Sequence, residues 1–264
     1  MLKIIHRISK VLLLVFVVLN LATSFLFTRE NVATNFIFMI TSSLIFAVLV
    51  WIDMWKVLGL KKAVWFIAIA ALISFTSEYL GVNGGTVFGG TYYYNNAMGM
   101  SLGGVPLIVI AMWTAVVYVC YRLAVIISGK KIKFKNRYEM FLEYLVLALI
   151  AGLAAVSWDL VWDPLAVQIR SWSWYTTGPY FGIPSQNFTG WIVVVFLSCL
   201  LFESTTKNRK DESKDSIVPF LGYFYLLAST FILAIRLGEP HFALLSFILM
   251  SPYLLIIILR QIKK

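Results

Sequence analysis

The 264-residue chain is 61% hydrophobic and only 13% charged, with a mean hydropathy of +0.87. Such a composition excludes a soluble domain and predicts an all-α polytopic bundle, because an open strand cannot satisfy its backbone in lipid. The formal net charge of +10 does not signal nucleic acid, since no basic face interleaved with aromatics is evident; attraction to anionic lipid accounts for it.

Eight apolar segments follow in order: Lys10–Phe27, Asn35–Trp55, Lys62–Leu80, Val105–Ile127, Glu139–Trp162, Asn187–Phe202, Ile217–Leu237 and Phe242–Leu259. Most reach the ~20 residues that a helix needs to cross a bilayer. The first has no small-residue cleavage pattern and reads as a span rather than a signal peptide. All but three of the 22 basic residues fall in segments assigned to the inside, leaving Arg29, Arg170 and Arg236 outside. Both termini are therefore expected in the cytoplasm, with residues 1–264 forming one multi-pass domain of the cell membrane.

Asp53, near the inner end of the second span beside Trp55 and Lys56, reads as an interfacial residue paired with a lysine. The third span carries Ala68, Ala70, Ala71 and Ser74, small residues that permit close helix packing, and ends in Ser77 and Glu78. No basic residue lies between Lys62 and Arg122 to pair with Glu78. It stands either as a carboxylate reaching for the outer surface or as a functional acid. The loop 81–104 that follows holds eight glycines and the run Tyr92-Tyr93-Tyr94. It lacks a dinucleotide fingerprint and follows no strand, so a folded, partly re-entrant lid is expected rather than a phosphate cradle.

The fifth span ends in Ser157-Trp158-Asp159-Leu160-Val161-Trp162-Asp163-Pro164. Asp159 and Asp163, four apart, share a helix face if the turn is unbroken. Asp163 before Pro164 is also the pair expected at the start of a short outer helix. Beyond it come Trp172, Trp174 and then Gly182-Ile183-Pro184-Ser185-Gln186-Asn187. Here a repeat emerges, at about 77–113 and 157–191. Gly104-Val105-Pro106 precedes Trp113 by the interval that separates Gly182-Ile183-Pro184 from Trp191, and Glu78 and Asp159 stand at matching places before those prolines. Both hairpins run inside–outside–inside, so the copies are expected to be parallel.

His6 and His241 are far apart in sequence, and Cys120 and Cys199 each lie inside a span. Neither a metal site, a haem or iron–sulfur site nor a Ser-His-Asp triad can be assembled from them by the usual ligand sets. The chemistry expected is redox-neutral, without metal or cofactor, and run by carboxylic acids among aromatics. Glu78, Asp159 and Asp163 are its acids. Protonation of an isolated alkene and capture of the cation by water fits that inventory.

The elements Ser77-Glu78-Tyr79-Leu80-Gly81-Val82, Phe88-Gly89-Gly90-Thr91-Tyr92-Tyr93-Tyr94 and Gly104-Val105-Pro106 form the first part of a recognisable pattern. The second part is Trp158-Asp159-Leu160-Val161-Trp162-Asp163-Pro164 followed by Gly182-Ile183-Pro184-Ser185-Gln186-Asn187-Phe188-Thr189-Gly190-Trp191. Together they resemble the membrane carotenoid-biosynthesis family of bisanhydrobacterioruberin hydratases and carotenoid 1'-hydroxylases. One departure is Val87-Phe88-Gly89 where Pro-Phe-Gly is expected. The resemblance implies hydration of the terminal C=C of a linear carotenoid to a tertiary alcohol, with the other enzymes of that pathway as neighbours. On this reading one of Glu78 and Asp159 protonates the alkene, and the other, with Asn187 or Gln186, positions water. Tyr92, Tyr93, Trp158 and Tyr180 line the pocket. A lipid or small-solute transporter, a proton-initiated carotenoid cyclase and a scaffold for pigment enzymes are the alternatives.

Overall fold

A computed structural model describes residues 11–21, 32–129, 135–206 and 217–262. It is all-helical. The helices are α1 Val11–Leu21, α2 Val32–Leu58, α3 Leu60–Gly84, α4 Leu107–Ser128, α5 Arg137–Gln168, α6 Ser185–Thr205, α7 Ile217–Leu237 and α8 Pro240–Ile262. All except α1 are long and apolar enough to cross a membrane, making seven such helices among the described residues. The remainder of the first expected span, the outward Arg29, His6 and the basic clusters at 130–133 and 207–214 lie outside the described residues. Pro106 and Pro184 stand alike, at the N-caps of α4 and α6.

α4 is the central post. In its most apolar window 78% of residues are buried inside the protein, against 33% to 61% for the other six crossing helices. It packs chiefly against α5, α2, α3 and α7, and that surrounding apolar surface lets it carry an unbroken buried run from Trp113 to Ile126. Arg122, counted above with the inner charges, is fully buried in this run. Asp53 is also buried, at 2% exposure, and accepts a hydrogen bond from Tyr118 Oη at 3.1 Å. The expectation of an interfacial Asp53 is thus corrected: α4 covers it. Tyr121 Oη donates to Glu203 Oε1 at 2.6 Å at the same end of the bundle, tying α4 to α6.

The opposite end is closed by a short antiparallel ribbon between the two loops. β1 (Tyr92–Tyr94) pairs with β4 (Trp172–Trp174) in the register Tyr92↔Trp174, Tyr94↔Trp172. The small ladder β2 (Ser101–Leu102) to β3 (Val105–Pro106) leads the first loop into α4. Two glycines let this roof sit close: a Cβ on Gly81 would meet Tyr92 Oη at 2.7 Å, and one on Gly190 would meet the Phe88 ring at 2.6 Å. Phe88 is accordingly buried to 1% exposure, wedged between α3 and α6.

Two helix boundaries differ from expectation. α3 runs on past Leu80 to Gly84, where Gly85 caps it in the left-handed conformation. α5 does not stop at Trp162, and Asp163-Pro164 does not start a new helix: Pro164 lies inside α5, which continues to Gln168. A proline there leaves the Leu160 carbonyl without its usual N–H donor. Tyr180 Oη supplies the missing bond at 2.9 Å from the second loop. Freed carbonyls in a membrane helix are tolerated when such a partner re-satisfies them. Removing that hydroxyl, Tyr180→Phe, is expected to cost about 1–3 kcal/mol, read as a lower unfolding temperature.

Candidate functional site

A cavity of about 170 Å³ lies beneath the β1–β4 roof, walled by residues of α1 to α7. Its lining is largely aromatic and aliphatic. Three carboxyls, Glu78, Asp159 and Asp163, face it together with Asn187. All four side chains are buried, at 4%, 1%, 2% and 4% exposure. The two loop-flanking stretches thus bring Glu78, Asp159 and Asp163 to one void.

The carboxyls are held differently. Glu78, one turn and a half before the end of α3, receives three donors. Tyr92 Oη and Tyr94 Oη both donate to its Oε2, at 2.5 and 2.7 Å, and Trp113 Nε1 donates to Oε1 at 2.7 Å. The ribbon explains the first two. Alternate residues of a strand face one side, so Tyr92 and Tyr94 turn inward while Tyr93 turns away to meet Tyr175 at a ring distance of 5.2 Å. Burial pushes the Tyr92 and Tyr94 phenols well above the usual tyrosine range, and the charges at Glu78 and Asp163 push them further. They remain hydroxyl donors at any working pH.

Asp159 and Asp163 are one turn apart on α5, which stays helical through this stretch. Asn187 bridges them. Its Nδ2 donates to Asp159 Oδ2 at 2.9 Å and to Asp163 Oδ2 at 2.8 Å. An amide placed between two carboxyl oxygens must turn its NH2 that way, since its carbonyl would face two acceptors. Asn187 lies in the first turn of α6, immediately after the Pro184 cap. Trp172 Nε1 donates to Asp163 Oδ1. Asp159 Oδ1 is the exception, buried with no hydrogen-bond partner among the described residues.

Tryptophans enclose the acids. Trp113 and Trp191 stack on one another with ring centroids 3.9 Å apart. Trp158 stacks on Trp162 at 5.5 Å and meets Trp191 edge-on at 5.7 Å. Trp158 is fixed by a bond from its Nε1 to Thr230 Oγ1 of α7 at 3.0 Å.

Of the pocket residues expected from sequence, Tyr92, Trp158 and Asn187 line the cavity, and Tyr93, Tyr180 and Gln186 are not in its wall. Gln186 Nε2 instead donates to the Thr86 carbonyl at 2.7 Å, clasping the first loop to α6. Tyr94, Trp113, Trp162, Trp172, Trp174 and Trp191 are wall residues that the sequence reading did not name as such. Period-two alternation through Tyr92-Tyr93-Tyr94 carried the signal for Tyr94 and against Tyr93. No group of three or more His, Cys, Asp or Glu side chains that could hold a metal ion occurs among the described residues.

A family model described as "Carotenoid biosynthesis protein" matches residues 34–253. Over 133 residues the chain is 30% identical to bisanhydrobacterioruberin hydratase of Haloarcula japonica, a stretch covering 50% of this chain and 42% of that protein. The chain thus spans less than half the length of this curated relative. No solved structure matches.

Proposed function

The chain belongs to the carotenoid biosynthesis protein family, and from that premise we propose that it is a hydratase acting on the terminal C=C of a linear carotenoid. The product is a tertiary alcohol, formed by proton transfer from a buried carboxyl and capture of the resulting cation by water. The observation that supports this reading above the others is the convergence of Glu78, Asp159 and Asp163 on one cavity walled by tryptophans. Buried acids supply a proton, and aromatic faces stabilise the positive charge that protonation creates on carbon. Hydration needs no electron acceptor or donor, so the side chains present suffice for it. The relative named as a hydratase supports the same reaction class.

The geometry of a membrane also fits. A linear carotenoid is about as long as the ~30 Å hydrocarbon core, so its end group lies near an interface, and the cavity lies under the loops at one end of the bundle. We place that end outside the cytoplasm, in the cell membrane, because the basic residues of the sequence are concentrated at the other. The remaining pathway enzymes are natural neighbours, since they make and consume the same lipid-soluble pigments.

Expression in a lycopene-accumulating host grown in heavy-oxygen water tests the assignment. A product heavier than its substrate by one heavy water per reacted end group is expected. An isomer of unchanged mass would instead identify a cyclase, and uptake or exchange of pigment without any product would favour a transporter.

A further inference from the structure

The three carboxyls of the cavity are not equivalent. Glu78 accepts from three donors, two tyrosine hydroxyls and one indole N–H. A carboxylate accepts and never donates, and bonds of this kind to an ionised acceptor are the strong ones. Trp113 can act only as a donor, so Oε1 is an acceptor whatever the state of Oε2. Asp159 is the opposite case. Its Oδ2 takes one amide bond, and its Oδ1 takes none among the described residues while the residue lines the cavity. A buried oxygen without a donor is costly as an anion and cheap as a hydroxyl.

We propose that Glu78 with Tyr92, Tyr94 and Trp113 forms a fixed anionic subsite that binds a cationic end group, and that Asp159 is the proton donor. The assignment rests on the hydratase reading and divides its labour. Asp159 Oδ1–H transfers its proton to the less substituted alkene carbon, the π pair becoming the new C–H bond. The tertiary cation at the other carbon takes a lone pair from water, forming the C–O bond. The oxonium then returns one proton to the Asp159 carboxylate, so that the net change is one water added. Throughout, Glu78 keeps its charge and the Trp113–Trp191 stack lies beside it. Asp163 and Asn187 position Asp159 rather than react: Asn187 holds Oδ2 of both aspartates, leaving Oδ1 of Asp159 without a donor.

A subsite made for a transient carbocation will also take a stable cation of the same shape. Two polyene probes distinguish the roles, one ending in a dimethylammonium group and one in the isosteric neutral alkene. Their binding is measured by fluorescence quenching on protein in lipid nanodiscs. In the unaltered protein the ammonium probe is expected to bind tighter than the neutral one. Glu78→Gln should weaken the ammonium probe about thirtyfold and leave the neutral probe within about threefold. Asp159→Asn should leave both within about threefold while removing hydration. Tyr94→Phe, which keeps Glu78 but takes away a donor, provides a milder variant if Glu78→Gln fails to fold, and should weaken the ammonium probe alone. Equal binding of the two probes, or loss of ammonium binding in Asp159→Asn rather than in Glu78→Gln, overturns the division of roles. The hydratase reading is judged separately: it fails if the unaltered protein binds the neutral polyene yet forms no alcohol.

Discussion

Asp159→Asn is expected to lower hydration by about a thousandfold, the middle of the range for a lost general acid. The expectation comes from one atom. Asp159 lines the cavity, and its Oδ1 is buried with no hydrogen-bond partner among the described residues, so its proton has no stabilising contact to break on transfer. An asparagine keeps the size of the side chain, and its carbonyl oxygen can still accept from Asn187 Nδ2, now at 2.9 Å. The bundle should therefore fold, with an unfolding temperature close to that of the unaltered chain, and the pigment should accumulate unmodified. Retention of more than about a tenth of the activity would show that the proton comes from elsewhere.

Asn187→Leu is expected to have the second largest effect, on stability as well as rate. The amide supplies a donor to both aspartates at once, at 2.9 and 2.8 Å, and all three groups are buried. Leucine removes both donors and leaves two buried carboxyls one turn apart with nothing between them. Leaving a buried polar group without its partner costs about 1–3 kcal/mol, and here two groups lose theirs. Hydration should fall at least a hundredfold, since Asp159 is then held only by its own helix. Thermal unfolding followed by circular dichroism reads the first effect, and pigment analysis the second. A variant with unchanged stability would mean that the bridge does not join the aspartates as described. Asn187→Gln, longer by one methylene, should recover part of the stability but less of the rate, which separates holding Asp159 from merely filling the space.

The spans were legible because lipid imposes a simple rule. Apolar runs near twenty residues long must be helices, and seven of the eight expected segments fall largely on crossing helices α2 to α8 with small shifts. The end of α5 was not legible. Asp163-Pro164 has the local form of a helix start, and only Tyr180, sixteen residues past the proline, supplies the bond that lets the helix continue. Local rules cannot see a partner that distant in the chain. Asp53 was misread for a related reason, since charge near a helix end reads as surface until a neighbouring helix covers it.

The acids of the site were legible because a carboxyl without a basic partner is costly in a bilayer and so stands out. Glu78 and Asp159 also stood at comparable places, 28 and 25 residues before Pro106 and Pro184, and the tryptophans seven residues after those prolines, Trp113 and Trp191, stack. What surrounds the acids was only partly visible. Tyr92 and Tyr94 separate from Tyr93 once the loop forms a strand, but nothing in the loop's own composition pairs it with Trp172–Trp174. Gln186 was attractive as a polar neighbour of Asn187, yet adjacent residues of a helix face different ways, and it reaches the first loop instead.

The most direct test of the account is the fate of the proton. Protein in lipid vesicles is supplied with a linear carotene in deuterated water, and the alcohol formed is analysed by mass spectrometry and deuterium NMR. One carbon-bound deuterium per reacted end group, on the carbon next to the new carbinol, is the predicted result, absent with Asp159→Asn. An alcohol formed without carbon-bound deuterium would contradict proton-first addition of water.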